Sequence, residues 1–118
     1  MEPKRLSKPA SQAIRRAAKV GATAIASISL FEAAWLFANN RVRIPGTVAQ
    51  AVRELVETTR VQVLELSPDI ASTSAQLPDA VPKDPADRLI VATALVHAVP
   101  LVTRDTRILE SGACSAIW

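Results

Sequence analysis

The sequence has few of the residues on which several common kinds of site depend. Its 118 residues include one cysteine and one histidine, which excludes an internal disulfide and a single-chain zinc site built from cysteines alone or from two histidines. Only three glycines are present, so there is no glycine-rich phosphate loop and a small nucleotide-binding protein is disfavoured. No apolar run is long enough for a membrane span and the start does not resemble a secretory signal, which predicts a soluble cytoplasmic protein.

The apolar composition indicates a folded domain whose core contains few aromatic side chains. Hydrophobic residues make up 49% of the chain, whereas aromatic residues make up only 3%. A chain of this length buries roughly two-thirds of the surface that its unfolded state exposes, which is enough for one aliphatic core. We therefore expect residues 1–118 to form a single domain packed mainly from alanine, valine, leucine and isoleucine.

Positive charge is concentrated at the start of the chain, although the formal net charge is only +3. The first 20 residues contain one acid, Glu2, and the following bases: Lys4, Arg5, Lys8, Arg15, Arg16 and Lys19. A basic segment of this kind is suited to the phosphates of RNA, and it is equally typical of a solvated helix face. The sequence leaves both interpretations open.

Helix and strand patterns alternate along the chain. Helices are predicted at 7–21, 29–40, from Thr47 onward, at 67–75 and at 85–98, and strands at 22–28, 61–66, 100–103 and 113–117. Residues 105–112 are expected to form a loop or one helical turn. The alternation predicts an α/β domain with a mainly parallel sheet, in which strand ends and helix N-termini meet at one edge.

Two acids fall where that edge is expected. Asp87 lies in the first turn of a predicted helix, and Asp105 comes directly after a short predicted strand. Because strand ends and helix starts meet at this edge, we expect the two carboxylates to converge there. Clustered carboxylates suit a divalent cation, and hence metal-assisted cleavage of a phosphodiester bond.

Other polar residues near these acids are candidates for a supporting role. Thr103 is placed to donate a hydrogen bond to a carboxylate or a bound water, although an ordinary strand position is the alternative. Arg88, Arg104 and Arg107 are candidates to pair with the acids or to hold phosphates.

Each acid also has a purely structural interpretation. Asp84 precedes a proline and is expected to cap a helix, and the helix dipole alone favours an acid at Asp87. Asp105 is a typical turn residue. Glu32 follows a predicted strand and stands three residues after Ser29, which is the spacing of a capping box as well as a position for a metal ligand.

Four segments resemble the PIN-domain nucleases, most closely the VapC-type ribonuclease toxins of bacterial toxin–antitoxin pairs. Residues 26–32 are similar to the family's strand-to-helix segment that ends in an acidic ligand. Residues 84–94 are similar to its third acidic motif, with Asp87 at the catalytic position, and residues 101–105 to its fourth. Leu6 and Ser7, with the helix that follows, resemble the segment after the family's first helix.

The resemblance implies a three-layer fold, in which helices flank a central, mainly parallel sheet. It implies Mg²⁺ or Mn²⁺ held by Glu32, Asp87 and Asp105 as catalytic ligands, with Thr103 and Asp84 in support. It further implies hydrolysis of RNA by metal-activated water, inhibition by a cognate antitoxin, and a homodimer.

The chain departs from the family pattern at its start. The family begins with an apolar strand that ends in an aspartate and lies in the middle of the sheet, whereas here Met1 is followed by Glu-Pro-Lys-Arg-Leu-Ser. We therefore expect a PIN-like domain without its first strand, which leaves unpaired edges on the neighbouring strands. Loss of one carboxylate also weakens the attraction for a hard cation, which predicts weak or absent activity.

A non-catalytic module is the alternative function. In that case the domain keeps only a surface that binds an antitoxin or a second copy, with Trp35 and Phe37 as candidate contact residues. Structural roles are predicted for two further residues: a helix-end position for His97, and a small buried apolar side chain in a strand for Cys114.

Overall fold

The structure is a computed structural model that describes residues 6–118. Its elements in chain order are α1 (Lys8–Lys19), β1 (Ala24–Ala26), α2 (Ile28–Ala38), α3 (Val48–Thr59), β2 (Gln62–Leu64), α4 (Pro68–Ala75), α5 (Pro85–Val96), β3 (Leu101–Val102), α6 (Thr106–Ser111) and β4 (Ala116–Ile117). The predicted α/β alternation is therefore confirmed. The segment left open between a loop and a helical turn is the short helix α6. No helix within residues 6–118 is long and apolar enough to cross a membrane.

Side-chain caps explain where several helices begin. The Ser7 hydroxyl accepts a hydrogen bond from the Ala10 amide at the start of α1, as predicted. Thr47 and Gln50 form a complete capping box at the start of α3, in which each side chain bonds the other residue's backbone amide. Gly21, just past the end of α1, has the positive φ of +66° that glycine adopts at low cost.

The strands form two separate parallel pairs within the described residues. β1 pairs with β2, with Ile25 opposite Val63, and β3 pairs with β4, with Leu101 opposite Ala116. The parallel pairing agrees with the predicted fold class. Within residues 6–118 the predicted single central sheet is not seen, because each strand pairs with one other strand only.

The core lies around α5 and is aliphatic, as the composition predicts. Four buried side chains, Leu77, Val81, Val91 and Ile108, form its main cluster. Leu101, Ala113 and Cys114 pack against this cluster, and burial raises the pKa of the Cys114 thiol. Cys114 packs against the core as predicted, but it is half-buried rather than buried and lies just before β4 rather than within it. The cluster fixes α5, whose first turn carries Asp87.

Replacing Val91 with alanine should lower the free energy of unfolding by about 2 kcal/mol. The reason is that the substitution removes buried methyl groups and leaves a small cavity. Val91 is 0% exposed, whereas Val20 is 77% exposed, so Val20→Ala is a control of the same chemistry. Urea denaturation measures both variants. Equal losses would show that Val91 does not belong to the core.

Candidate metal centre

Three of the candidate acids lie at helix starts, and a fourth, Glu32, lies inside the helix that follows β1. Glu32 lies in the second turn of α2, the helix that follows β1. Asp84 and Asp87 are the N-cap and first-turn acid of α5, and Asp105 is the N-cap of α6, directly beyond β3. The helix-start positions of Asp87 and Asp105 agree with those predicted from the sequence.

A single guanidinium group links two of these acids. Both oxygens of Asp105 accept hydrogen bonds from the Arg107 side chain, Oδ1 from Nε at 3.3 Å and Oδ2 from NH2 at 3.0 Å. The same NH2 atom lies 3.9 Å from Oδ2 of Asp87. The carboxylates of Asp87 and Asp105 therefore face one shared cation.

The four acids, called the acid cluster below, influence one another electrostatically. Burial raises the pKa of Glu32, and the negative charges of Asp87 and Asp84 raise it further. Burial also raises the pKa of Asp87, with added contributions from Asp84 and Asp105 that outweigh the opposing effect of Arg107. Hydrogen bonding from Arg107 instead lowers the pKa of Asp105. The cluster thus holds more negative charge than its one cation compensates.

The capping box considered for Glu32 is wrong. Helix α2 begins at Ile28, so Ser29 lies inside the helix and is not its N-cap. The N-cap residue Ser27 makes no side-chain capping bond, since its hydroxyl accepts a hydrogen bond from the Leu66 amide at 3.2 Å. Glu32 is therefore not explained as the partner of a capping serine.

The structural interpretations of two aspartates are correct, and they do not conflict with a place in the cluster. Asp84 Oδ1 accepts a hydrogen bond from the Ala86 amide at 2.8 Å, as predicted for the N-cap of α5. Asp105 Oδ1 accepts one from the Arg107 amide at 2.9 Å. In both cases the hydrogen bond holds the carboxylate at a helix start, where the helix dipole also favours it.

Thr103 positions Asp105. Its Oγ1 atom accepts a hydrogen bond from the Asp105 amide at 3.1 Å, so the hydroxyl fixes the backbone from which the carboxylate projects. The sequence predicted a side-chain donor to a carboxylate or bound water, and the observed bond instead uses the oxygen as an acceptor.

The three arginines near the acids have different places in the structure. Arg88 does not reach the acids, because it donates to the carbonyls of Ser74 and Leu77 at 3.3 and 3.2 Å and so fastens the chain after α4 to α5. Arg104 is exposed and lines a shallow surface depression with Trp118. Arg107 alone of the three forms ion pairs with the predicted site residues among those described.

Three further residues singled out in the sequence are His97, Trp35 and Phe37. His97 is the exposed C-cap of α5, as predicted. Trp35 is 48% exposed and its ring stacks under Arg41, whose guanidinium carbon lies 6.0 Å from the ring centroid. Phe37 is half-buried.

The cluster has the right atoms for a hard divalent cation but not a closed ligand shell. No three acids, cysteines or histidines in the part of the chain from residue 6 to residue 118 are arranged to hold a metal ion together. The donors present are carboxylate oxygens, which are the ligands that Mg²⁺ and Mn²⁺ prefer. The raised pKa values of Glu32 and Asp87 show an excess of negative charge that a cation would relieve. The donor chemistry of these residues therefore fits such an ion, whereas their arrangement within residues 6–118 does not form a ligand set for it.

The parallel strand pairs, the flanking helices and the acids at the strand ends define an α/β domain of the PIN type. Residues 2–112 match the PIN domain family, and the chain belongs to this family. It is a VapC-type PIN protein, since it is 44% identical over 107 residues to Ribonuclease VapC22 of Mycobacterium tuberculosis (strain ATCC 25618 / H37Rv). That match covers 91% of this chain and 78% of the relative. The resemblance found in the sequence is thus confirmed.

Proposed function

We propose that this protein is a metal-dependent endoribonuclease and the toxin of a toxin–antitoxin pair. The observation that carries the proposal is that one guanidinium group, that of Arg107, pairs with Asp105 at 3.0 Å and lies 3.9 Å from Asp87. Burial raises the pKa of Glu32 and of Asp87, and the charges of neighbouring aspartates raise both further. Membership of the PIN family and the similarity to a ribonuclease of the VapC type support the same activity.

In the proposed mechanism, Glu32, Asp87 and Asp105 would hold the ion, Mg²⁺ or Mn²⁺. When bound, the ion supplies Lewis-acid activation of the attacking water and of the phosphodiester. Thr103 holds the Asp105 backbone in place, and Asp84 fixes the first turn of α5 from which Asp87 projects. These two hydrogen bonds hold the backbone that carries Asp105 and Asp87, so both carboxylates are oriented before the ion binds.

We propose RNA and a cognate antitoxin as partners, a homodimer as the assembly, one PIN-like domain as the organisation and the cytoplasm as the location. Helix α1 offers a basic surface for RNA, because Lys8, Arg15, Arg16 and Lys19 are all exposed. Such side chains contact phosphates without reading sequence. Glu2, Lys4 and Arg5, which belong to the same basic segment, lie outside the described residues.

The proposal predicts RNA cleavage by the purified protein that requires Mg²⁺ or Mn²⁺ and stops on addition of EDTA. Glu32→Gln should lower the cleavage rate at least about 100-fold. Mutation of a residue that only supports a metal ligand lowers affinity or activity about 10- to 100-fold, and loss of a direct ligand should cost at least as much. Glu57→Gln in α3, which is exposed, is the matched control. Gel analysis of labelled RNA measures all three proteins.

Two results would contradict the proposal. Cleavage that persists in EDTA would exclude a divalent cation as the cofactor. Equal rates for Glu32→Gln and Glu57→Gln would remove Glu32 from the site.

A non-catalytic binding module is the second candidate, and one observation favours it. Helix α2 exposes large apolar side chains, with Phe31 64% and Trp35 48% exposed, a surface suited to a protein partner. Phe37, half-buried, contributes less than the sequence suggests. A folded protein that binds an antitoxin and leaves RNA intact with either metal would establish this function in place of the nuclease.

A further inference from the structure

The Arg107 side chain bridges two members of the acid cluster, Asp105 and Asp87. The proposed mechanism does not use this bridge. Its side chain is 67% exposed, yet its guanidinium group meets both oxygens of Asp105 and approaches Asp87. The backbone beneath it is fixed, since the neighbouring Ile108 is 3% exposed and packs in the core. The side chain is therefore held by the carboxylates rather than by packing.

We propose that Arg107 is a built-in counter-ion, which occupies the cation position between Asp87 and Asp105 and must move out when a divalent cation binds. The inference rests on the proposed function, because it assumes that these carboxylates are metal ligands. Its consequence is that Arg107 lowers the affinity of the protein for the metal.

Competition follows from the atoms involved. Oδ2 of Asp105 and Oδ2 of Asp87 both face the NH2 atom of Arg107, and the first is hydrogen-bonded to it at 3.0 Å. A carboxylate offers about four lone-pair sites, so the competition is for position rather than for lone pairs. A metal ion placed between these two oxygens would lie where the guanidinium group lies and would be repelled by its positive charge, so the guanidinium group has to move.

The cost of that displacement is small enough for the metal to succeed. The guanidinium group is largely solvated, so it can swing outward without uncovering apolar surface. An exposed ion pair contributes little to stability, because water screens it and side-chain entropy opposes it. Asp105 also keeps its bond from the Arg107 amide when the side chain leaves, since that bond belongs to the backbone.

A different role for Arg107 makes the opposite prediction. If its side chain serves to orient Asp105 for the metal, then its removal should leave Asp105 less ordered and weaken metal binding. The two roles are therefore distinguished by the sign of the change in affinity, and no measurement of catalysis is needed.

The test is a titration with Mn²⁺, followed by the electron paramagnetic resonance signal of the free ion. Arg107→Ala should bind Mn²⁺ about two- to fivefold more tightly than the wild type, the range expected for losing one exposed ion pair. Arg104→Ala is the matched control, since it removes the same charge from an exposed position three residues away. Its affinity should stay at or near that of the wild type, and clearly below that of Arg107→Ala.

Melting curves in EDTA provide the second measurement and confirm that each variant folds. Arg107→Ala should melt at a lower temperature than Arg104→Ala, because the acid cluster loses its cation. Saturating Mn²⁺ should remove this difference.

The outcomes separate this inference from the function on which it rests. If wild type and Arg107→Ala bind Mn²⁺ equally, or if the variant binds more weakly, the counter-ion role is overturned and the metal site stands. If neither protein binds Mn²⁺, the proposed metal site is wrong, and the proposed competition between Arg107 and the metal is wrong as well. Tighter binding by both arginine variants would show a general charge effect and would also overturn the specific role of Arg107.

Discussion

Asp87→Asn should lower the rate of RNA cleavage at least about 100-fold while making the metal-free protein more stable at neutral pH. The loss of activity is expected because an amide is neutral and cannot replace a carboxylate as a ligand for a hard cation. The gain in stability is expected because burial and the charges of Asp84 and Asp105 raise the pKa of Asp87. Asparagine keeps the size of the side chain and removes the charge.

The sign of the stability effect depends on pH. A carboxyl group whose pKa is raised by folding binds its proton more tightly in the folded state, so protonation favours folding at low pH. That advantage is lost as the pH rises from the unfolded pKa through the folded pKa, and the charged form then destabilises the fold. The excess stability of Asp87→Asn over the wild type should therefore grow as the pH rises through this window.

Asp69→Asn is the matched control for Asp87→Asn. Asp69 also lies in the first turn of a helix that begins with proline, α4, but it is exposed and belongs to no cluster. Asp69→Asn should cleave RNA at a rate close to that of the wild type. Its melting temperature in EDTA should also stay close to that of the wild type. A cleavage rate for Asp87→Asn equal to that of Asp69→Asn would show that Asp87 is not a catalytic ligand.

Asp105→Asn should cause the same loss of cleavage but the opposite change in stability. Hydrogen bonding from the Arg107 side chain lowers the pKa of Asp105, so its charged form stabilises the folded state. Asparagine still caps α6, because its side-chain oxygen can accept the Arg107 amide, but it loses the ion pair. The melting temperature of the metal-free variant should therefore lie below that of the wild type at neutral pH.

This difference should disappear on acidification. A carboxyl group with a lowered folded pKa contributes its stability above the unfolded pKa, and the contribution is lost as the pH falls through the folded pKa. Melting curves of Asp105→Asn and wild type should then converge at low pH, where Asp105 is protonated in both states. A variant that is more stable than the wild type at neutral pH would contradict the assigned pairing with Arg107.

Local signals in the sequence were sufficient to place most elements of the site. Asp84 followed by proline predicts the start of α5, and the structure confirms it, because a capping carboxylate and proline at the first helical position act within one turn. The strand predicted before Asp105 is also confirmed, as β3. Helix α6 was left open, since its six residues are too few to show a helical period.

Interactions between distant segments could not be derived from the sequence. Ser27 follows β1 directly as the N-cap of α2, and its hydroxyl accepts a hydrogen bond from the amide of Leu66, a residue 39 positions away. Helix α2 therefore begins earlier than the capping-box spacing of Glu32 suggests. Arg88 is long and flexible, and its carbonyl partners become visible only once α4 and α5 have packed. Parallel strand pairing is also a long-range property, which is why the two separate sheets required a structure.

The central claim is that Glu32, Asp87 and Asp105 bind a divalent cation, and diffraction at the manganese absorption edge tests it most directly. Crystals of the protein grown with Mn²⁺, at a concentration that supports RNA cleavage, should show an anomalous difference peak between these three carboxylates, with the Arg107 side chain moved away. The absence of a peak among these carboxylates, or a peak at another place in the protein, would contradict the account.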